Sequence, residues 1–408
     1  MQPERSQGSL LFLTSCPIAW GGSEELWAGA ATILAGRGFR IHAGRSEPMR
    51  WGRRHPRWLA LQNGGIGIGR FNVSQWDRAV VDAFNRFCPE WMSRAVWLAR
   101  DYRLALLARL CRPQLAVISQ GGTYDGMEYV WLPKICQLAG IPYVIICQKS
   151  AETEWPDDRL RDFKRKFFQN AERVFFVSEH NRLVTSQQMA MDFPHGDVVR
   201  NPYMAGTEGP LPWPDVTGDD TLRLACVGRM WPKEKGQDLL LNVLARERWR
   251  HRPVEVNFYG EGPMGRGLEE MKNYLKLERV HFRGFVQDIS EVWRTHHALV
   301  LASRAEGLPL AQVEAMMCGR PAIMTIAGGS AEILVEGESG FIAEAQTVEA
   351  LDAAMERAWQ RRGDWKSIGL RAAESVRKLI PENPCEVFAE KLAQIHDAVV
   401  QRRNLNKT

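Results

Sequence analysis

At 408 residues the chain is too long for one ordinary hydrophobic core and long enough for two. Its 45% hydrophobic and 25% charged residues, with no low-complexity tract, describe a folded, water-soluble protein and exclude a disordered or fibrous one. The net charge of +5 is uneven: residues 1–205 hold 26 Lys and Arg against 19 Asp and Glu, and the remainder carries a slight acidic excess.

From the amino end, residues 1–8 and the four apolar residues Leu10, Leu11, Phe12 and Leu13 lack the long apolar core of a secretory signal and read as a first strand. Strands are expected at 9–14, 115–119, 143–147 and 173–177, then at 223–227, 254–259, 280–282, 298–301 and 321–325. Turns rich in Gly, Pro, Ser and Asp and helical patterns separate them, which predicts parallel sheets with helices on both faces. Even the longest apolar runs are strand-sized, far short of a membrane span. Eight scattered cysteines form no C-x-x-C pair and no zinc-like spacing, so a reduced, cytoplasmic compartment and no metal site are expected.

Within 37–112 stand 15 Arg, no Lys and five acids, interleaved with Trp51, Trp58, Trp76, Trp91 and Trp97. Such a stretch suits an anionic partner, for example an anionic membrane surface or glycan carrier. A solvated Arg-rich face is the alternative. Between the two series of strands, Pro202, Pro210, Pro212 and Pro214 let no strand or long helix propagate. The expected organisation is therefore a domain over 1–203, a linker over 204–220 and a domain over 221–384. An amphipathic helix follows over 385–404.

The turn after the first strand is Gly21-Gly22-Ser23-Glu24-Glu25. Paired glycines let a backbone approach a ligand, and the free N–H groups of a helix start favour an anion. A tight structural turn explains it equally. The second series opens on Gly228-Arg229-Met230-Trp231-Pro232-Lys233-Glu234-Lys235-Gly236. Here Arg229 supplies a planar fork and Lys235 a mobile point charge, and both can converge on one diphosphate. Gly260-Glu261-Gly262-Pro263-Met264-Gly265 satisfies G-x-G-x-x-G literally. Glu261 and Pro263 inside it, and no acid closing the next strand, argue against a dinucleotide site.

The most informative segment is Ser303-Arg304-Ala305-Glu306-Gly307-Leu308-Pro309-Leu310-Ala311-Gln312-Val313-Glu314-Ala315-Met316. Glu306 falls on a loop and Glu314 in the helix that follows, ended by Gly319 and Pro321. Two carboxylates so placed can both face the mouth of a sheet, where acceptor-only oxygens suit sugar and ribose hydroxyls. Free N–H groups near Leu308 to Ala311 suit a phosphate.

These segments resemble those of glycosyltransferase family 4. The likeness runs from the G-R-x5-K-G loop through Gly260-Glu261-Gly262-Pro263 and Phe282-Arg283-Gly284-Phe285 to the E-G-L-P-L-x3-E-A-M segment. It ends at Gly328-Gly329-Ser330-Ala331-Glu332 and Gly337-Glu338-Ser339-Gly340-Phe341. The resemblance implies the α/β GT-B fold, two Rossmann-like doubly wound domains facing across a cleft, with the terminal helix packed back on the first. It implies that Arg229 and Lys235 hold the donor diphosphate, that Glu306 contacts the transferred sugar and that Glu314 binds the ribose. Gly21, Gly22, Gly228, Gly260, Gly262, Leu308, Pro309 and Leu310 would line the donor, with Phe285 beside the base. Glu24, Gln148 and Lys149 fall on the acceptor side. There the chain departs from many relatives, with Gln148 and Lys149 where a histidine is common and Ser119-Gln120-Gly121-Gly122 where others carry histidines.

The implied activity is retaining transfer of a hexose-type unit from a nucleoside diphosphate sugar to a hydroxyl of a glycan or lipid-linked glycan. Neither a metal nor another cofactor is required, and no nucleic acid is involved. The implied location is cytoplasmic, with peripheral contact at the inner membrane face. Another GT-B enzyme (a sugar-nucleotide epimerase or a phosphorylase) and a non-catalytic sugar-nucleotide-binding partner remain the alternatives.

Overall fold

Continuous apolar runs become strands because both faces of a parallel sheet are covered. The computed structural model describes residues 7–16, 20–46, 55–71, 102–128, 132–206, 208–215 and 220–406. Its first sheet holds β1 (Gly8–Thr14), β2 (Phe39–Ser46), β3 (Gly67–Phe71), β4 (Leu115–Gln120), β5 (Tyr143–Cys147), β6 (Arg173–Phe176) and β7 (Gly196–Val198). Their order is β3-β2-β1-β4-β5-β6-β7, and each neighbouring pair is parallel. Every residue of β1, β4 and β5 is buried. Successive side chains feed opposite faces, as the two-residue period requires. Leu10 and Phe12 join Val117 and Val144 in one core, while Leu11 and Leu13 join Ile118 and Ile145 in the other.

The second sheet holds β8 (Leu222–Val227), β9 (Val254–Tyr259), β10 (Val280–Gly284), β11 (Ala298–Leu301), β12 (Ala322–Thr325) and β13 (Gly340–Ala343). It is again parallel, in the order β10-β9-β8-β11-β12-β13. In both sheets the strand order reverses beside the first strand, between β1 and β4 and between β8 and β11. Such a switch point opens a crevice at the carboxyl ends of the strands, where doubly wound sheets bind ligands.

The chain divides into two units. The first comprises Met1–Val177, Arg182–Asn201 and Asn383–Thr408; the second comprises Ser178–Asn181 and Pro202–Glu382. The terminal helix Pro384–Leu405 thus belongs to the first unit, where Phe388, Ala389 and Leu392 enter the core that contains Leu10 and Phe12. Phe388 meets Phe175 edge-on at 5.2 Å.

The described part of the proline-rich connection is laid along the second unit. Ala205 is buried in its core, with Leu211 and Trp213 packed against it. The enclosed Arg320 guanidinium donates to Pro212 O (2.6 Å), Leu211 O (3.3 Å), Cys318 O (3.0 Å), Trp293 O and His296 O (both 2.9 Å). It also sits 5.3 Å from the Trp213 ring centroid.

Much of the Arg-rich stretch, with Trp51, Trp76, Trp91 and Trp97, lies outside the described residues. Trp58 is described, and it is buried among Trp20 and Trp27 rather than presented to a surface. No helix among the described residues is long and apolar enough to cross a membrane.

Candidate functional site

Two loops leave the second sheet at its switch point. One follows β8 and carries Gly228, Arg229 and Lys235; the other follows β11 and carries Ser303 and Glu306. They lie so close that a Cβ on Gly236 would stand 1.8 Å from Ala302 O, and Gly236 itself adopts φ +60. Only glycine meets both conditions, the left-handed backbone and the missing side chain.

This approach brings Lys235 onto Glu306: Nζ is 2.7 Å from both carboxylate oxygens. Ser303 Oγ, fully buried, donates to Glu306 Oε1 at 2.7 Å and holds the carboxylate in place. Arg229 pairs with Glu234 at 3.1 Å and lies 5.4 Å from the Trp231 ring centroid. Gln237 Nε2 donates to Arg229 O at 2.8 Å and steadies the turn from beneath.

The glycines of the G-x-G-x-x-G segment serve this turn. A Cβ on Gly260, at φ +124, would meet Gly228 O at 2.2 Å. Met230 N donates to Glu261 O at 3.1 Å. Gly260 and Gly262 therefore let the β9 loop pack directly under the turn that bears Arg229.

Glu314 lies in the helix Leu310–Met317, 7% exposed, and accepts a hydrogen bond from Met204 N at 3.0 Å. Burial pushes its carboxyl up to about 7, against the opposing pull of that hydrogen bond. Pro309 stands at the start of this helix, and the first-turn N–H groups of Leu310 and Ala311 have no acceptor within the helix. Leu308 is buried against Val313 and Met316 and fixes the approach to that turn. Phe285, immediately after β10, is 73% exposed, whereas Phe282 is stacked on Phe258 at 4.9 Å. Arg229, Lys235, Glu306, Glu314, Gly228, Gly260, Gly262, Phe285, Leu308, Pro309 and Leu310 thus all belong to the second unit, around the carboxyl ends of its strands.

Gly21, Gly22, Glu24, Gln148 and Lys149 belong to the first unit. Gly21 and Gly22 begin the helix Gly22–Gly36 at the end of β1, with no side-chain cap. Glu24 is enclosed, accepting from Thr14 Oγ1 and Trp27 Nε1, both at 3.0 Å, and burial lifts its carboxyl to about 7. It holds the turn together from inside and offers nothing to a surface. Gln148 is also buried. Its Nε2 donates to Ser23 O at 3.0 Å, and its Oε1 accepts from Asn201 Nδ2 at 2.8 Å. Lys149 Nζ stands 3.6 Å from Glu154. His296 and His297 are buried and pushed down to about 4, so both are neutral structural groups.

Sequence reasoning missed Ser303, Asp238 and the backbone of Met204. Ser303 had a signal, a hydroxyl three residues before a loop carboxylate. Asp238 and Met204 had none, because their partners lie 66 and 110 residues away.

The family model described as "Glycosyl transferases group 1" matches residues 221–361, which cover most of the second unit. The Vi polysaccharide biosynthesis protein VipC/TviE of Salmonella typhi is 37% identical over 129 residues, 31% of this chain and 22% of that protein. The GDP-mannose-dependent alpha-(1-6)-phosphatidylinositol monomannoside mannosyltransferase of Mycolicibacterium smegmatis is 26% identical over 265 residues, 57% of this chain and 67% of that one. The chain therefore spans about a fifth of the first relative and two thirds of the second. The crystal structure of Anabaena Alr3699/HepE in complex with UDP superposes with a TM-score of 0.71 at 17% identity, over 95% of this chain and 100% of that one. The fold is GT-B, two parallel-sheet α/β units.

Proposed function

We propose that this protein is a glycosyltransferase that moves a hexose-type unit from a nucleoside diphosphate sugar to a hydroxyl acceptor. One observation carries the reading. The loops after β8 and β11, neighbours at the switch point, set Lys235 against Glu306 at 2.7 Å, with Arg229 on the same loop as Lys235. The similarity of this unit to glycosyltransferases supports it.

In this reading Arg229 and Lys235 bind the diphosphate, Glu306 bonds the sugar hydroxyls and Glu314 the ribose. The first-turn N–H groups at Leu310 and Ala311 face phosphate oxygens, and Phe285 flanks the base. As the bond between the sugar's anomeric carbon and the diphosphate oxygen breaks, negative charge grows on the leaving group. Preorganised cations stabilise that charge more in the transition state than in the ground state. The acceptor oxygen bonds to the anomeric carbon on the face the diphosphate leaves, with retention of configuration, and its proton passes to the departing phosphate. Arg229 and Lys235 supply the charge that a metal ion would otherwise bring. The donor-side roles are those of glycosyltransferase family 4.

The acceptor in this reading is a glycan or lipid-linked glycan, met by a cytoplasmic enzyme resting peripherally on the inner face of the membrane. The Arg-rich, Trp-containing stretch 37–112 supports an anionic surface as partner. Co-sedimentation that is stronger with anionic than with neutral vesicles would support the membrane contact; equal binding to both, or to neither, would count against it.

The direct test is a thermal-shift panel of nucleoside diphosphate sugars, because a bound ligand raises apparent stability by mass action. The donors that bind are then followed for release of nucleoside diphosphate without acceptor. A donor that binds but is never cleaved, with or without acceptor, would leave a binding protein rather than an enzyme.

A further inference from the structure

Arg304 stands two residues before Glu306 and has no part in the roles above. Its backbone N–H donates to Glu234 O at 2.6 Å, and the next N–H, of Ala305, donates to the same oxygen at 3.1 Å. Its guanidinium donates to Pro232 O at 2.7 Å and meets the Asp238 carboxylate as a fork, at 2.7 and 2.8 Å. Pro232 and Glu234 lie in the turn between Arg229 and Lys235, and Asp238 lies in the first turn of the helix Gln237–Leu244 beyond it. One residue of the β11 loop therefore clasps the β8 loop at its middle and at its far end.

We propose that Arg304 is a positioning residue for the donor site: braced by Asp238, it sets the spacing between the loop of Arg229 and Lys235 and the loop of Glu306. This rests on the function proposed above. The diphosphate and the sugar it carries are one rigid demand, whereas the groups assigned to them come from two strands and 71 residues apart. A fork-to-fork pair fixes both the distance and the plane of its partners, which a lysine ammonium cannot do.

The pair is only partly enclosed, with Arg304 31% and Asp238 33% exposed, so it adds little to global stability. Its loss should change where the loops stand and leave the unit folded. Misplacing reacting groups by about 1 Å can cost roughly a hundredfold in turnover. The competing role is a third cation acting on the phosphates through charge alone, and Arg304→Lys separates the two. The lysine keeps the charge and loses the fork.

The experiment uses the full chain with Arg304→Ala, Arg304→Lys, Asp238→Asn and the Arg304→Ala/Asp238→Asn double variant. Hydrogen exchange of residues 228–236, the melting temperature and turnover of the nucleoside diphosphate sugar that binds are measured on each. Expected is faster exchange confined to 228–236 in every variant, with the melting temperature nearly unchanged. Turnover should fall roughly ten- to a hundredfold with donor KM little altered. The lysine variant should not rescue, and the double variant should be no worse than either single one, as for two residues of one interaction. Unchanged exchange at 228–236 in Arg304→Ala would overturn the brace, and so would restored turnover in Arg304→Lys. Should the unaltered protein turn over no nucleotide sugar at all, the proposed function fails, and the exchange pattern still decides whether Arg304 positions the loops.

Discussion

Lys235 Nζ stands 2.7 Å from both carboxylate oxygens of Glu306, so the cation assigned to the phosphate is already the counter-ion of the carboxylate assigned to the sugar. A diphosphate entering the site has to share or displace that contact. In the proposed reaction the ammonium is drawn toward the leaving group as charge builds there. Replacing either cation, Arg229→Ala or Lys235→Ala, should therefore lower turnover on the order of a hundredfold, about 3 kcal/mol, with a smaller effect on donor affinity. Steady-state rates at saturating donor check this. Near-normal turnover in both variants would remove the catalytic role from this site.

Glu314 should behave differently. The ribose does not change charge during the reaction, so Glu314→Ala should weaken donor binding more than it slows the saturated enzyme. Calorimetric titration with the donor beside a saturated rate separates the two. A loss confined to the saturated rate would assign Glu314 to chemistry instead.

The burial of Glu314 also predicts a pH dependence. Glu314 has its carboxyl raised to about 7 by burial, and two ribose hydroxyls would favour its ionised form. Donor affinity should therefore rise as pH increases through about 7, and Glu314→Gln should flatten the curve. Folding stability runs the other way. Glu24 and Glu314, both raised from 4.5 to about 7, contribute stability that is complete below the unfolded value near 4.5. It is lost as pH rises through about 7, on the order of 3 kcal/mol for each group. Melting temperatures of Glu24→Gln and the unaltered protein across pH 5 to 8 test this. Parallel curves would show that Glu24 titrates normally.

Arg320 is enclosed with no carboxylate partner among the described residues, and burial pulls its guanidinium down to about 10, so it stays charged at neutral pH. Arg320→Met would leave the carbonyls of Leu211, Pro212, Trp293 and His296 without their donor. The expected loss is about 3 kcal/mol of stability. The stretch 208–215 should become open to limited proteolysis. Unchanged melting with unchanged cleavage would show the connection to be held by Trp213 and Leu211 alone.

Nine strands were legible as sequence, as short apolar-rich runs ended by turn residues: β1, β4, β5, β6, β8, β9, β10, β11 and β12. β2 was not, because its alternating Phe39, Ile41 and Ala43 are separated by Arg40, His42 and Gly44 inside an Arg-rich stretch. β3 was hidden by Gly67 and Gly69, whose missing side chains admit His42 and Leu107. The β8 and β11 loops could be assigned to the carboxyl edge of one sheet from local pattern. That β8 and β11 are neighbours could not, since strand order is not written in any one segment. The contacts that depend on it were invisible for that reason, Lys235 with Glu306 and Arg304 with Asp238 among them. The surroundings of Glu24 were equally hidden. The resemblance puts it on the acceptor side, and nothing in its own segment told that Thr14 and Trp27 enclose it.

The terminal helix has a consequence for how the chain matures. The second unit is almost contiguous, within Pro202–Glu382, and has all but four of its residues in one run. The first unit lacks Phe388, Ala389 and Leu392 over Leu10, Phe12 and Phe175 until the whole of the second has been synthesised. Domains fold as units while the ribosome advances, usually the amino-terminal one first. Here the second unit can finish while the amino-terminal sheet still exposes one greasy face, so the order of completion runs against the order of translation.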